Sequence, residues 1–321
     1  MKKTVLILFF AFNLCNAQTV QHESRKVFVM TLNVPNIIRN SNKAFNEIVT
    51  KNKIKRIICY RENDISSDIK FDKKGNIISK IENDNKSINE SKYEYDEMNR
   101  MTKISFYSPN GNLDYGYEYK FNGPYKTEYK IGDTIPTKRT IELKEENIKI
   151  YSDYNSNQQW ELSSIIFKNS DNSYDRELRY NKNGIVYQEF KHFHNKNELN
   201  GGTKSIQYYN GLKTNEKDYS AYKADINGNR IERYSAYSTD TLKLISTHKF
   251  NEENQVIENN YLSKLENFEY DANGFILSKT IKDRNGITIL NFFYNNSLPS
   301  EIVKINEKNK STFRYEYEFY K

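Results

Sequence analysis

The segments YEYDEMNRMTKI (Tyr93–Ile104) and FEYDANGFILSKTI (Phe268–Ile281) decide the fold, because each sets an alternating, aromatic-rich run on either side of a short polar stretch. Four further segments align with these two without gaps. Each of the six has Asp or Asn at one position and Gly or Asn three residues later. The pairs are Asp72 and Gly75, Asp96 and Asn99, Asn181 and Gly184, Asp225 and Gly228, Asn251 and Asn254, and Asp271 and Gly274.

The chemistry of tight turns explains this spacing. Asp or Asn at the first turn position accepts backbone N–H groups through its side chain, and the position three residues later requires a positive φ, which Gly and Asn tolerate best. The flanking apolar residues recur every second position, which places them on one face of a strand. The pattern predicts an all-β fold, namely an elongated antiparallel β-hairpin repeat array.

The array is expected to occupy residues 67–321. The stretch 124–177 shows no clear motif and is interpreted as an insertion. The strand Phe313 to Tyr320 is expected to end the array, with Glu316 and Glu318 protecting a free edge. Residues 18–66 differ in kind: Ser41 is placed to cap a short helix through Thr50, and Lys53 to Arg61 is typical of a strand. This region is predicted to be an N-terminal cap, with a small separate module as the alternative.

The first 17 residues predict export. Lys2 and Lys3 precede the apolar run Val5 to Leu14, and small or polar residues follow up to Ala17, which is the layout of a secretory signal peptide cleaved near Ala17. Periplasm, cell surface and medium are all compatible destinations. Residues 12–14 do not match a lipobox before Cys15. No later apolar run approaches the length of a membrane-spanning helix, so no transmembrane span is expected in the mature chain.

At YEYDEMNRMTKI and FEYDANGFILSKTI the chain resembles the YD repeat of RHS-type bacterial proteins, whose units run Tyr, Asp, two variable residues, Gly, Arg and an apolar residue. The literal dipeptide is kept at Tyr95-Asp96 and Tyr270-Asp271, while Asn99 and Asn254 replace the glycine in two copies. The resemblance implies strand-turn architecture. In character the chain is similar to short exported repeat proteins of flavobacterial type.

No motif for catalysis, metal binding or a cofactor is found, so the chain is predicted not to be an enzyme and to need no cofactor. His192 and His194 point to one strand face and could share a metal ion, but no Cys and no third His lies near in sequence, and surface or cross-strand packing is the preferred interpretation. The Asp and Asn residues of the repeats are attributed to turns rather than to calcium. Cys59, within an apolar stretch, is interpreted as a small buried side chain.

Binding is the remaining class of function. Trp160, the only tryptophan, lies beside Gln158 and Gln159 and is a candidate ligand-binding residue. Bases and acids are interleaved, so no nucleic-acid partner is expected. The composition predicts a non-enzymatic binding or scaffold element of the cell envelope with a protein or polysaccharide partner. The alternative is a carbohydrate-binding surface protein that uses its aromatic strand faces.

Overall fold

The computed structural model describes residues 43–83, 88–143, 147–169, 174–196, 199–236 and 241–321. The expected signal peptide, Cys15, His22 and the residue Ser41 lie outside the described residues. Within them the chain forms one helix and 22 strands. The prediction of β-sheet is therefore confirmed.

The helix α1 spans Lys43–Lys51 and precedes the first strand. Its end is closed by Asn52, whose backbone N–H donates to the carbonyl of Ile48 at 3.1 Å, and by Lys53, which adopts a left-handed φ of 52°. Such a left-handed residue after the last turn is a usual helix stop. Val49 on this helix is fully buried, and the helix contacts the first strand.

The strands follow one another along the chain with short connections. Their bounds are β1 Ile54–Arg61, β2 Asp64–Phe71, β3 Ile77–Asn83, β4 Ile88–Tyr95, β5 Met101–Tyr107, β6 Leu113–Asn122, β7 Tyr125–Lys130, β8 Pro136–Leu143, β9 Ile148–Tyr154, β10 Trp160–Lys168, β11 Tyr174–Tyr180, β12 Val186–Lys196, β13 Leu199–Tyr209, β14 Leu212–Ala224, β15 Arg230–Ser235, β16 Lys243–Phe250, β17 Val256–Tyr261, β18 Lys264–Tyr270, β19 Ile276–Asp283, β20 Gly286–Asn295, β21 Leu298–Asn306 and β22 Lys310–Phe319.

The chain forms two compact units. Unit 1 comprises Met1–Glu94, Ser105–Asp114 and Asn267–Lys321, and unit 2 comprises Tyr95–Ile104 and Tyr115–Glu266. In unit 1 the antiparallel order is β4-β3-β2-β1-β22-β21-β20-β19. In unit 2, β6 to β17 pair antiparallel in simple sequence order. The stretch 124–177 contributes β7 to β10 to that ladder.

The pairing of β1 with β22 corrects the expected architecture. Ile57 lies opposite Tyr317, Cys59 lies opposite Tyr315, and the backbone N–H of Tyr320 donates to the carbonyl of Lys53 at 2.8 Å. All 22 described strands belong to one antiparallel sheet, and the first and last of them pair, so the sheet is closed in its connectivity. The prediction of an elongated repeat array is therefore wrong.

The last strand is not the free edge that its charges suggested. β22 pairs with β21 on one side and with β1 on the other. Glu316 accepts a hydrogen bond from the Tyr60 hydroxyl at 3.1 Å, and Glu318 accepts one from Arg56 at 2.9 Å. These acids make cross-strand contacts at the closure rather than protecting an open edge.

Buried apolar side chains concentrate in unit 1. The largest side chains with almost no exposure are those of Phe71, Ile54, Ile57, Ile302, Val49 and Pro299. In unit 2 most described strand positions are only half-buried, and β10 is half-buried along its whole length. The ladder of unit 2 therefore presents many partly accessible aromatic and polar side chains, which is where a ligand surface can be built.

Candidate functional site

The six Asp/Asn–Gly/Asn pairs lie in turns of one geometry. At the first, the backbone N–H of Gly75 donates to the carbonyl of Asp72 at 3.1 Å, and Asp72 Oδ1 accepts the N–H groups of Lys74 and Asn76 at 2.8 and 2.9 Å. Side-chain hydrogen bonds of the same kind are made by Asp96, Asn181, Asp225, Asn251 and Asp271. The fourth residues, Gly75, Asn99, Gly184, Gly228, Asn254 and Gly274, all have positive φ. The side-chain oxygens are thus engaged by the turn backbone.

Two more turns share this geometry. One is Ser108 to Gly111, and the other is Asn155 to Gln158, in which Gln158 has a φ of 60° and Asn155 Oδ1 accepts the N–H of Gln159 at 2.9 Å. The second lies in the stretch that showed no motif. The dipeptide Tyr154-Asn155 matches the start of the repeat motif, but the fourth turn position is Gln158, where the other copies have Gly or Asn.

The Asn155 turn positions Trp160 beside other aromatic and cationic side chains. Trp160 is the Cα partner of Tyr154 across β9 and β10, and their rings meet edge to face with centroids 5.0 Å apart. The guanidinium of Arg139, on β8, lies 4.5 Å from the centroid of Trp160 and 5.5 Å from that of Tyr125 on β7. We call Tyr125, Arg139, Tyr154 and Trp160 the Trp160 cluster.

The charge of Arg139 has no carboxylate partner among the described residues. Its Nε is buried without a hydrogen-bond partner there. Arg100 shows the contrast, since it lies 4.1 Å from the ring of Phe121 and also pairs with Asp96 at 2.7 Å. Tyr125 is 40% exposed, so one ring of the cluster is open to a ligand. An exposed ring beside an unneutralised guanidinium can stack against a flat apolar surface and donate hydrogen bonds at its rim.

The histidines serve other contacts. The ring of His192 lies edge to face against Tyr174 with centroids 5.0 Å apart. The side chain of His194 lies outside what the structure describes. Within the described ranges, no group of three or more His, Cys, Asp or Glu side chains is arranged to hold a metal ion.

A second polar feature surrounds His248 on β16. Its Nε2 lies 3.0 Å from the Ser246 hydroxyl and its Nδ1 lies 2.7 Å from Asn259 Oδ1, while Asn259 donates to Glu266 at 3.3 Å. This order is similar to that of a hydrolytic triad. Ser246, however, is only 3% exposed, so a substrate cannot reach its hydroxyl. His248 also borders an open hollow of about 620 Å³, with Asp225 and Asn251 among its lining residues.

The thiol of Cys59 is buried, so reagents and substrates do not reach it. The side chain is buried in β1, and burial raises the pKa of its thiol to about 11. The thiolate is the reactive form of cysteine, and it is scarce at neutral pH when the pKa is this high. The position suits a small packing residue.

No family model matches the chain. No curated protein matches it either. Among solved structures, the TcdB2–TccC3–Cdc42 complex aligns with 76% of this chain at 10% identity and a TM-score of 0.28, and the match spans 15% of the other chain. A porin-like protein from Bacteroides uniformis ATCC 8492 aligns over 83% of this chain and 98% of its own at 10% identity, with a TM-score of 0.22. One from Bacteroides vulgatus ATCC 8482 aligns at 9% identity with a TM-score of 0.23.

No helix in the described part of the chain is long and apolar enough to cross a membrane.

The expectation of a mature chain without a transmembrane span is nevertheless wrong as it was drawn. It rested on the length of apolar runs, which tests for helices alone. A closed antiparallel sheet pairs its own backbone groups from strand to strand, and sheets of that class cross membranes with alternating strands that contain no long apolar run. Run length therefore does not exclude a span in this chain.

Proposed function

We propose that this protein is a non-enzymatic, exported binding element of the cell envelope that holds a saccharide at the Trp160 cluster. The observation that carries the proposal is the guanidinium of Arg139, fixed between the rings of Trp160 and Tyr125 with no acidic partner among the described residues. Export is supported by the N-terminal pattern of Lys2, Lys3 and the apolar run that follows.

A saccharide fits both parts of the cluster. The C–H face of a sugar ring is apolar and packs against an aromatic ring, and its hydroxyl oxygens accept hydrogen bonds from a guanidinium. Tyr125 supplies an exposed ring, and Arg139 supplies the donors next to it. Trp160 packs against the guanidinium of Arg139, and Tyr154 in turn packs edge to face against Trp160. The ordering cost is low because the cluster is built on neighbouring strands rather than on loops.

The competing role for these rings is packing of the sheet itself. In that role the partner of the protein is another envelope protein, and the cluster contributes only to stability. The two roles differ in what a truncation does: a packing ring changes the free energy of unfolding alone, whereas a binding ring changes retention of a glycan by a protein that is still folded.

Glycan-array binding of the purified full chain tests the proposal, after circular dichroism has established that the sample is folded. We expect saturable binding to one glycan class that Trp160→Ala reduces about tenfold or more, which corresponds to about 1.4 kcal/mol. The matched control is Tyr209→Ala, because Tyr209 is 71% exposed at a turn outside the cluster. Absence of binding across the array, or equal loss in both variants, would overturn the proposal.

A further inference from the structure

We infer that the Trp160 cluster selects acidic saccharides, with the guanidinium of Arg139 binding the carboxylate of a uronate unit. The inference rests on the proposed function and narrows its ligand class. It draws on three features of unit 2: the neighbours of Arg139 across the sheet, the way in which its guanidinium is held, and the direction in which nearby acids face.

The cross-strand neighbours of Arg139 are neutral. Its Cα partners are Thr127 on β7 and Ser152 on β9, and neither side chain carries a charge. The adjacent residue Lys138 points to the opposite face, and its Cα partners there are Glu128 and Asp153. Across the same three strands, Lys138 therefore has acidic neighbours and Arg139 has none.

The remaining nearby acids are directed elsewhere. Glu161 on β10 accepts a hydrogen bond from the side chain of Asn155 at 2.6 Å. Glu128 accepts one from the Thr137 hydroxyl at 3.0 Å. Among the described residues, no carboxylate forms an ion pair with Arg139, so the charge of its guanidinium is available to a ligand.

The guanidinium also lies against two aromatic rings. Its carbon lies 4.5 Å from the Trp160 centroid and 5.5 Å from the Tyr125 centroid, and its Nε is buried. With Nε turned inward, the terminal nitrogens are the donors left for a ligand, and two parallel N–H donors match the two oxygens of a carboxylate. A lysine supplies a point charge instead and does not reproduce this fork.

The geometry of a pyranuronate satisfies both contacts at once. Its carboxylate is attached directly to the sugar ring, so a ring stacked on Tyr125 carries the acid toward the neighbouring guanidinium. A neutral sugar retains the stacking contact and loses the charge-assisted pair. Charge-assisted hydrogen bonds are roughly twice as strong as neutral ones, so the acidic sugar is bound more tightly.

The experiment compares polygalacturonate with its fully methyl-esterified form, which has the same rings without the charge. Both are titrated into the full chain and into Arg139→Gln, Arg139→Lys and Lys138→Gln. We expect the unmodified protein to prefer the acid form by about tenfold or more, as a charge-assisted pair implies. Arg139→Gln should abolish this preference, because it weakens binding of the acid form more than binding of the ester, and Arg139→Lys should keep only part of the preference.

Lys138→Gln is the matched control, because it removes an equal charge one residue away on the opposite face. It should leave the preference intact. A preference that survives in Arg139→Gln, or that falls equally in Lys138→Gln, overturns the inference. Equal binding of both polymers that still depends on Trp160 also overturns it and leaves the proposed function standing. Absence of any Trp160-dependent glycan binding would overturn both the inference and the proposed function.

Discussion

Arg56 on β1 holds Asp68 on β2 through two parallel hydrogen bonds, from Nε to Oδ1 at 2.8 Å and from Nη2 to Oδ2 at 2.7 Å. The same guanidinium reaches Glu318 on β22 at 2.9 Å. One side chain thus joins three neighbouring strands of unit 1 across the pairing that closes the sheet. The two acids raise the pKa of Arg56, with the Asp68 hydrogen bond as the largest cause, so the cation persists across the accessible pH range.

Replacing Asp68 by Asn should destabilise the protein. The Asp68 side chain is only 10% exposed, so the loss of its bidentate pair is poorly compensated by water. We expect the free energy of unfolding to fall by about 1–2 kcal/mol, since Arg56 keeps Glu318 as a partner. Urea unfolding measures this. Glu90→Gln is the control, because its pair with Lys92 is longer and more exposed than the Asp68 pair, so its loss should change stability by less than about 0.5 kcal/mol.

Two turn glycines should differ in their tolerance of alanine. Gly75 and Gly111 have nearly equal φ values of 83° and 81°, but a Cβ at Gly75 would lie 2.4 Å from Thr50 Oγ1 and 2.9 Å from the carbonyl oxygen of Asn46. A Cβ at Gly111 meets nothing within 4 Å. Gly111→Ala should cost about 1 kcal/mol from backbone strain alone.

Gly75→Ala should cost roughly 2 kcal/mol or more, because α1 must shift as well. Thermal and urea unfolding of the two variants measure the difference. Equal losses would mean that the contact between the helix and the first turn does not exist in solution.

The thiol of Cys59 should be nearly inert in the folded protein. Burial raises its pKa to about 11, so thiolate is scarce at pH 8 and the reagent has no access. In a Cys15→Ser background, we expect a disulfide reagent to label Cys59 on the order of a hundredfold more slowly in buffer than in urea. Rapid labelling without denaturant would contradict the placement of Cys59 inside β1.

Stability should fall at alkaline pH. Burial raises the pKa of Tyr119 to about 12, and burial also raises the pKa values of Tyr294, Tyr315 and Tyr317. An unfolded tyrosine loses its proton near pH 10 and the folded one does not, so unfolding releases protons above that pH. The stabilisation from these groups is complete below about pH 9 and is lost as the pH rises toward 12.

Urea midpoints at pH 8, 10 and 11 measure this loss, and phenolate absorbance reports the ionisation directly. We expect the midpoints to decrease stepwise with pH, with a further increase in phenolate absorbance as the protein unfolds and its buried tyrosines ionise. Midpoints that stay constant up to pH 11 would contradict the burial of these four tyrosines.

Local chemistry made part of this structure predictable. The pair Asp72 and Gly75 encodes its turn within four residues, and the alternation around Tyr93 and Tyr95 encodes the strands on either side. The turn at Asn155 followed the same chemistry, but Gln158 takes the left-handed conformation that Gly or Asn usually adopts. The closure of the sheet has no local signature. An edge strand and a strand paired on both sides show the same alternation of apolar and polar residues. The charges of β22 were therefore compatible with either position.

The candidate site was visible only in part for the same reason. Trp160 was notable because it is the only tryptophan, but its cationic neighbour Arg139 lies two strands earlier in the ladder. Which side chains meet across β8, β9 and β10 depends on strand register, including the register shift between Leu162 and Ser164. Register is set by the whole ladder and its bulges rather than by any one strand.

The pairing of the first strand with the last has a consequence for biosynthesis. Arg56 and Glu318 are 262 residues apart in the sequence, so β1 emerges from the ribosome long before its second neighbour exists. At ~5–20 residues per second, β1 waits on the order of tens of seconds with one hydrogen-bonding edge open. Such an edge invites pairing with other chains. An export pathway that keeps the chain unfolded until synthesis is finished would let the closing strands meet first in the compartment where the protein works.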